Sequence, residues 1–145
     1  MKRKIVGYAV VHNSESSSVS PAFSERIAKG AFAKSIKQDD VRGLWNHDCN
    51  YPLGRVKAKT LKLSEDEKGL KFEIDPPPTQ YAKDLMISIE RGDVTQNSIG
   101  FAITQETWSK RLGGSSIRTI EEGRLYDVSP VTFAAYEETS VWLED

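Results

Sequence analysis

The order of apolar and polar positions along the chain predicts a domain built mostly of strands. Ile5 to Val11 is a β-branched and aromatic run that stops at His12-Asn13, as a first strand would. Ser14-Glu15-Ser16-Ser17-Ser18 has no apolar side chain and reads as a mobile polar loop. Gly30 caps a short helix from Ala31 to Lys37, whose Phe32 and Ile36 share a face at i, i+4. Val41 to His47 is a strand closed by the turn-prone Asp48, Asn50 and Pro52. Val56 and Ala58 then alternate with Lys57 and Lys59, but Leu61 and Leu63 continue on the opposite parity. A side-chain period of two requires a bulge or sharp bend near Thr60 for that switch.

Beyond a charged turn at Glu65 to Gly69, Leu70, Phe72 and Ile74 alternate with Lys71, Glu73 and Asp75, which makes a hairpin with one wet face. Pro76-Pro77-Pro78 cannot donate to a ladder and forces an extended linker. Thr79 then stands where an N-cap belongs. Ala82, Leu85, Met86 and Ile89 form the stripe of an amphipathic helix that ends at Arg91-Gly92. Ser98 to Trp108 and Ile117 to Val131 are two long strands around Gly113-Gly114, followed by a run to Val141 and Trp142. Six or seven strands and two helices, joined mostly by turns, predict a mostly β fold with peripheral helices. The expected architecture is a closed or nearly closed β-barrel of the α+β kind, in a single domain over 1–145.

Composition narrows the class. With 38% hydrophobic and 28% charged residues, the chain has the make-up of an ordinary globular domain. No apolar run approaches the ~18 residues of a membrane span, so no membrane partner is expected. The single cysteine, Cys49, excludes an internal disulfide framework and a multi-cysteine zinc site, and fits a reducing cytoplasm. The net charge of -1 conceals an asymmetry, because residues 1–62 carry 12 basic and 5 acidic side chains and the remainder is acidic. The basic residues are spread over four segments without interleaved aromatics, so the halves neutralise each other and nucleic acid is not an expected partner.

Few side chains can do chemistry. His12 ends the first strand and reads as a surface residue. His47 also ends a strand, on the same face as Trp45; Asp48 points to the other face and is badly placed to orient the imidazole. His47, Asp48 and Cys49 are consecutive and cannot converge on one ion, so no metal and no cofactor is expected. Ser98 starts a strand in Asn97-Ser98-Ile99-Gly100-Phe101, and Gly100 on the same face leaves room there for a substrate backbone. A serine hydroxyl is a poor nucleophile without a base, so Ser98 has meaning only with His47. Glu121, Glu122 and Asp127 are the carboxylates that could orient that base. A tight turn at Gly113-Gly114 would set Ser98 opposite Ser129 with Asp127 diagonal, whereas a wider loop near Lys110 would set it opposite Glu122. Strand arithmetic leaves the two open.

Several segments, taken in order, resemble a known family. These are Phe23-Ser24-Glu25-Arg26-Ile27-Ala28-Lys29-Gly30-Ala31-Phe32, Leu44-Trp45-Asn46-His47-Asp48 and Pro52-Leu53-Gly54-Arg55-Val56. They continue with Gly69-Leu70-Lys71-Phe72, Ser98-Ile99-Gly100-Phe101, Arg118-Thr119-Ile120 and Leu125-Tyr126-Asp127-Val128-Ser129-Pro130-Val131-Thr132. Across nearly its whole length the chain resembles the prohead proteases of tailed phages with the HK97-type capsid. The resemblance implies a serine endopeptidase on a barrel similar to that of the herpesvirus maturation proteases (assemblins).

Carried over by motif, His47 would be the general base and Ser98 the nucleophile. The acid of the Arg118-x-Ile120-x-Glu segment falls on Glu122, with Asp127 as the alternative. The implied activity is cleavage of the scaffold, or of the scaffold-like segment of the major capsid protein, during head maturation, and of the protease itself. The implied partners are capsid and scaffold proteins and a second copy of the chain, and the implied place is the assembling prohead in the host cytoplasm. Family members often carry a further carboxyl-terminal region, and this chain stops at Asp145. A non-catalytic module that binds capsid or scaffold without cutting is the alternative reading.

Overall fold

The computed structural model describes residues 3–16 and 23–145, and among them the apolar alternation resolves into two sheets around one core. The first sheet has the order β5 (Leu61–Glu65), β6 (Gly69–Ile74), β1 (Lys4–Val11) and β9 (Ser140–Glu144), all antiparallel. Ile5, Leu61, Leu70, Phe72 and Ile74 of this sheet are almost fully buried. Burying each such side chain stabilises the fold by about 1.5–3 kcal/mol.

The second sheet is built on β8 (Ser116–Val131). Along one side runs β7 (Gln96–Lys110), antiparallel; along the other lie β2 (Phe23–Ile27) and β3 (Arg42–Trp45), both parallel to β8, with β4 (Asp48–Arg55) outside β3. Two corners join the sheets. At one, Val141 N–H donates to Thr95 C=O at 3.0 Å and the buried Asn97 side chain donates to Tyr8 C=O at 3.1 Å. At the other, Arg55 N–H donates to Thr60 Oγ1 at 2.9 Å and Asp75 N–H to Thr60 C=O at 2.9 Å. The strands can therefore be followed around the core as β5, β6, β1, β9, β7, β8, β3, β4, which is the mostly β, barrel-like arrangement the pattern predicts.

The second helix is the one its stripe announces. α2 (Gln80–Arg91) follows the three prolines, is capped by Thr79 Oγ1 accepting from Ala82 N–H at 3.4 Å, and ends at Gly92 in the left-handed conformation. It buries Ala82, Leu85 and Ile89. Among the described residues no helix is long and apolar enough to cross a membrane.

Four local expectations are corrected. The first helix is shorter than Ala31 to Lys37: turns occupy 29–34, and α1 spans only Ser35–Gln38. Asp48, Asn50 and Pro52 lie within β4; Pro52 is tolerated because β4 is a sheet edge and the ladder slips at Leu44↔Pro52. The parity switch at Thr60 is a turn over 56–60, with Lys59 at φ 63°, so Val56 and Ala58 are not in a strand. Finally, 14–16 are anchored: Ser14 and Ser16 are buried, and Ser16 N–H donates to Glu25 C=O at 2.8 Å. Ser17 and Ser18 of that polar stretch lie outside the described residues.

Candidate active site

His47 is positioned by a two-residue turn. Trp45 pairs with Asp48 to close the β3–β4 hairpin, and between them Asn46 (φ 54°) and His47 (φ 58°) both have positive φ, the mark of the tight hairpin turn that matches strand twist. His47 is thus in the turn rather than at a strand end, and the expected shared face with Trp45 does not apply. Asn and His visit this left-handed region more readily than most residues. Three bonds to the end of β8 hold it there. Asn46 N–H donates to Pro130 C=O at 3.0 Å, Thr132 N–H donates to Asn46 Oδ1 at 3.0 Å, and His47 N–H donates to Ser129 Oγ at 3.3 Å.

That docking brings the imidazole to a carboxylate on β8. His47 Nδ1 lies 2.7 Å from Asp127 Oδ2, and Ser129 Oγ donates to the same oxygen at 2.6 Å. A carboxylate can only accept, so Nδ1–H is the donor in this pair, and in the neutral ring Nε2 then keeps its lone pair. Asp127 is buried, whereas the His47 side chain is 40% exposed and so open to a substrate. Asp48 does not contribute; its Oδ1 accepts from Asn50 N–H at 2.9 Å.

Ser98 enters from β7. It pairs with Ser129, and Gly100 pairs with Asp127, so Ser98 stands on the same sheet face as Ser129 and Asp127. Opposed residues of this kind have Cβ atoms about 4.5–5.5 Å apart. Gly100 has a role other than the expected one. A Cβ there would stand 2.0 Å from Asp127 Oδ1, so the missing side chain makes room for the carboxylate and not for a substrate backbone.

The register explains why strand arithmetic left two acids open. The hairpin loop is wide, spanning 111–115, and near its tip paired numbers sum to 226, as in Lys110↔Ser116. Continued unchanged, that register would set Ser98 opposite Val128. Slips at Glu121 and Thr104 cancel, and a further bulge at Tyr126, between Gly100↔Asp127 and Phe101↔Leu125, restores Ser98↔Ser129. Glu122, the acid taken first from the motif, pairs instead with Gln105 and has its carboxylate 3.7 Å from Lys34 Nζ. It lies five residues along β8 from Asp127, roughly 16 Å away at strand rise. The carboxylate in contact with His47 is that of Asp127, the alternative residue.

Ser129 was not singled out from the sequence, although its spacing of two from Asp127 puts both side chains on one face. The remaining candidates are elsewhere. Cys49 is exposed on β4, and His12 is not on the surface, since its side chain is 8% exposed and its Nε2 lies 3.1 Å from Asp66 C=O. Among the described residues no cluster of three or more His, Cys, Asp or Glu side chains could hold a metal ion.

The second sheet thus carries a carboxylate-backed histidine at the end of the strand pair on which Ser98 stands opposite Ser129. The chain matches the family model of the caudovirus prohead serine proteases over residues 1–145, and it belongs to that family. Its class is therefore that of viral serine proteases of capsid maturation. No curated protein and no solved structure matches it.

Proposed function

We propose that the chain is a serine endopeptidase in which Ser98 is the nucleophile, His47 the general base and Asp127 the acid. Its substrate is the scaffold, or the scaffold-like segment of the major capsid protein, inside the assembling prohead, with its own chain as a further substrate. The observation that carries this reading is the 2.7 Å contact between His47 Nδ1 and Asp127 Oδ2, formed on the strand pair that sets Ser98 opposite Ser129.

The chemistry follows from that arrangement. With Nδ1–H held by Asp127, Nε2 takes the Ser98 proton as Oγ attacks the scissile carbonyl carbon. The imidazolium that forms is stabilised by the Asp127 charge. It then gives its proton to the amine nitrogen as the C–N bond breaks, leaving an acyl-enzyme. Water repeats the sequence: His47 takes its proton, the hydroxide oxygen attacks the ester, and Ser98 recovers its hydrogen. Asp127 remains a carboxylate throughout, and Ser129 and Gly100 keep it aimed at the ring.

A fluorophosphonate probe tests the assignment. Phosphonylation of Ser98 in the concentrated native protein, and loss of that adduct in Ser98→Ala, is the expected result. No labelling under conditions in which the protein cleaves its capsid precursor would remove Ser98 from the mechanism.

A further inference from the structure

β4 leads from the His47 turn to a cavity of about 930 Å³, within the range of ligand-binding clefts. Leu53, Tyr81, Met86 and the three linker prolines give it apolar walls. Four cationic residues line it, of which Arg3 is paired with Glu90 at 2.6 Å and Asp145 at 3.4 Å. Arg42 and Arg55 share a single carboxylate, Asp40, at 3.0 and 2.7 Å, while Lys83 projects from the first turn of α2 and is exposed. Asp75 is the one acidic residue of the lining.

A path of aromatic rings connects cavity and turn. Trp45 and Tyr51 have centroids 5.9 Å apart, Tyr51 and Tyr81 5.3 Å, and the Tyr81 hydroxyl donates to Pro52 C=O. Pro52 lies four residues beyond Asp48, roughly 14 Å at strand rise, which an extended peptide spans with about four residues. A chain held at His47 and Ser98 can therefore reach the cavity without folding back.

We propose that this cavity docks an acidic stretch with apolar anchors in the polypeptide substrate, four or more residues from the scissile bond. The proposal deepens the peptidase reading and rests on it for the identity of the ligand as substrate. Carboxylates meet Lys83 and the guanidiniums of Arg42 and Arg55, an apolar side chain enters between Leu53, Tyr81 and Met86, and the contact weakens as salt screens these charges.

Fluorescence anisotropy with two labelled peptides, Glu-Glu-Leu-Glu-Phe-Glu and its counterpart with Lys for every Glu, tests it on the full chain at low salt. The native protein should bind the acidic peptide and not the basic one. Lys83→Glu should weaken binding about tenfold, as expected for reversing one close charge. An acid is favoured near the start of a helix, so this variant should fold. Lys110→Glu, the same charge change on the exposed end of β7, should bind as the native protein does. Equal binding of both peptides, no binding of the acidic one at millimolar concentration, or an unchanged Lys83→Glu would overturn the proposal. Fluorophosphonate labelling reads the other assignment separately. Labelling without peptide discrimination removes the docking site alone, and discrimination without labelling keeps the docking site and removes the peptidase.

Discussion

The two histidines occupy similar places in the chain and very different ones in the molecule. His12 and His47 each follow a strand, and each has a neighbouring asparagine at positive φ, Asn13 at 60° and Asn46 at 54°. The His12 side chain is 8% exposed; its Nε2 meets the carbonyl of Asp66, and its Nδ1 is buried without a hydrogen-bond partner. The His47 side chain is 40% exposed with a carboxylate on Nδ1. An imidazole can act as a base when one nitrogen is held by an acceptor and the other faces a substrate. His47 has its acceptor on Nδ1 and an exposed side chain, whereas His12 has its acceptor on Nε2 and its other nitrogen buried.

The largest effect that can break this comparison is removal of the imidazole itself. His47→Ala should slow fluorophosphonate labelling of Ser98 on the order of 10⁴-fold or more. His12→Ala should leave the labelling rate within about threefold and instead lower the melting temperature, because it opens a buried space. Equal losses of activity in the two variants would end the distinction.

Asp127→Asn is next. It keeps the shape but presents an amide to Nδ1, and should cost about 10³–10⁴-fold in labelling rate, while Glu122→Gln leaves it unchanged. The reverse pattern would return the acid to Glu122. Gly100→Ala comes third at about 10²-fold, because its methyl group takes the place of Asp127 Oδ1, 2.0 Å away. A native rate in that variant would show that the carboxylate can move without consequence. Ser129→Ala should follow with about tenfold, since Asp127 Oδ2 loses a donor and His47 N–H an acceptor.

The smallest effect concerns stability beside His12. Asp66 accepts from the Tyr8 hydroxyl and from two backbone N–H groups of its turn, and these hold its carboxyl below the ordinary range, the Tyr8 bond first. Its contribution is therefore complete above the unfolded value of about 3.9 and is lost as pH falls through the lower folded value. Asp66→Asn should flatten the acid side of a plot of melting temperature against pH without changing the labelling rate. An unaltered acid side would assign that slope to other carboxylates.

Much of this architecture was legible because it depends on local rules. Pro76-Pro77-Pro78, the Thr79 cap and the stripe through Ile89 specify α2 whatever surrounds it. The alternation of Leu70, Phe72 and Ile74 likewise specifies one wet and one buried face. Boundaries failed where a tertiary contact decided them. β4 continues through Pro52 because an edge strand forgives a missing donor, and 14–16 are held because β2 offers them Glu25. The candidate site was legible only as what the family resemblance implies, His47 before Ser98 before an acid. Its third member was not, because the choice depended on loop width and three register slips far from the motif.

The sequence by itself determined the strand-rich pattern, the candidate nucleophile and base, and the family, since each is written in residue types and spacings. Only the tertiary structure decided that Asp127 and not Glu122 stands behind His47, and that Gly100 is small to admit that carboxylate. A single bulged residue shifts a strand's pairing by one and turns its side chains to the other face. Which carboxylate reaches the ring is therefore a property of the assembled sheet and not of any segment within it.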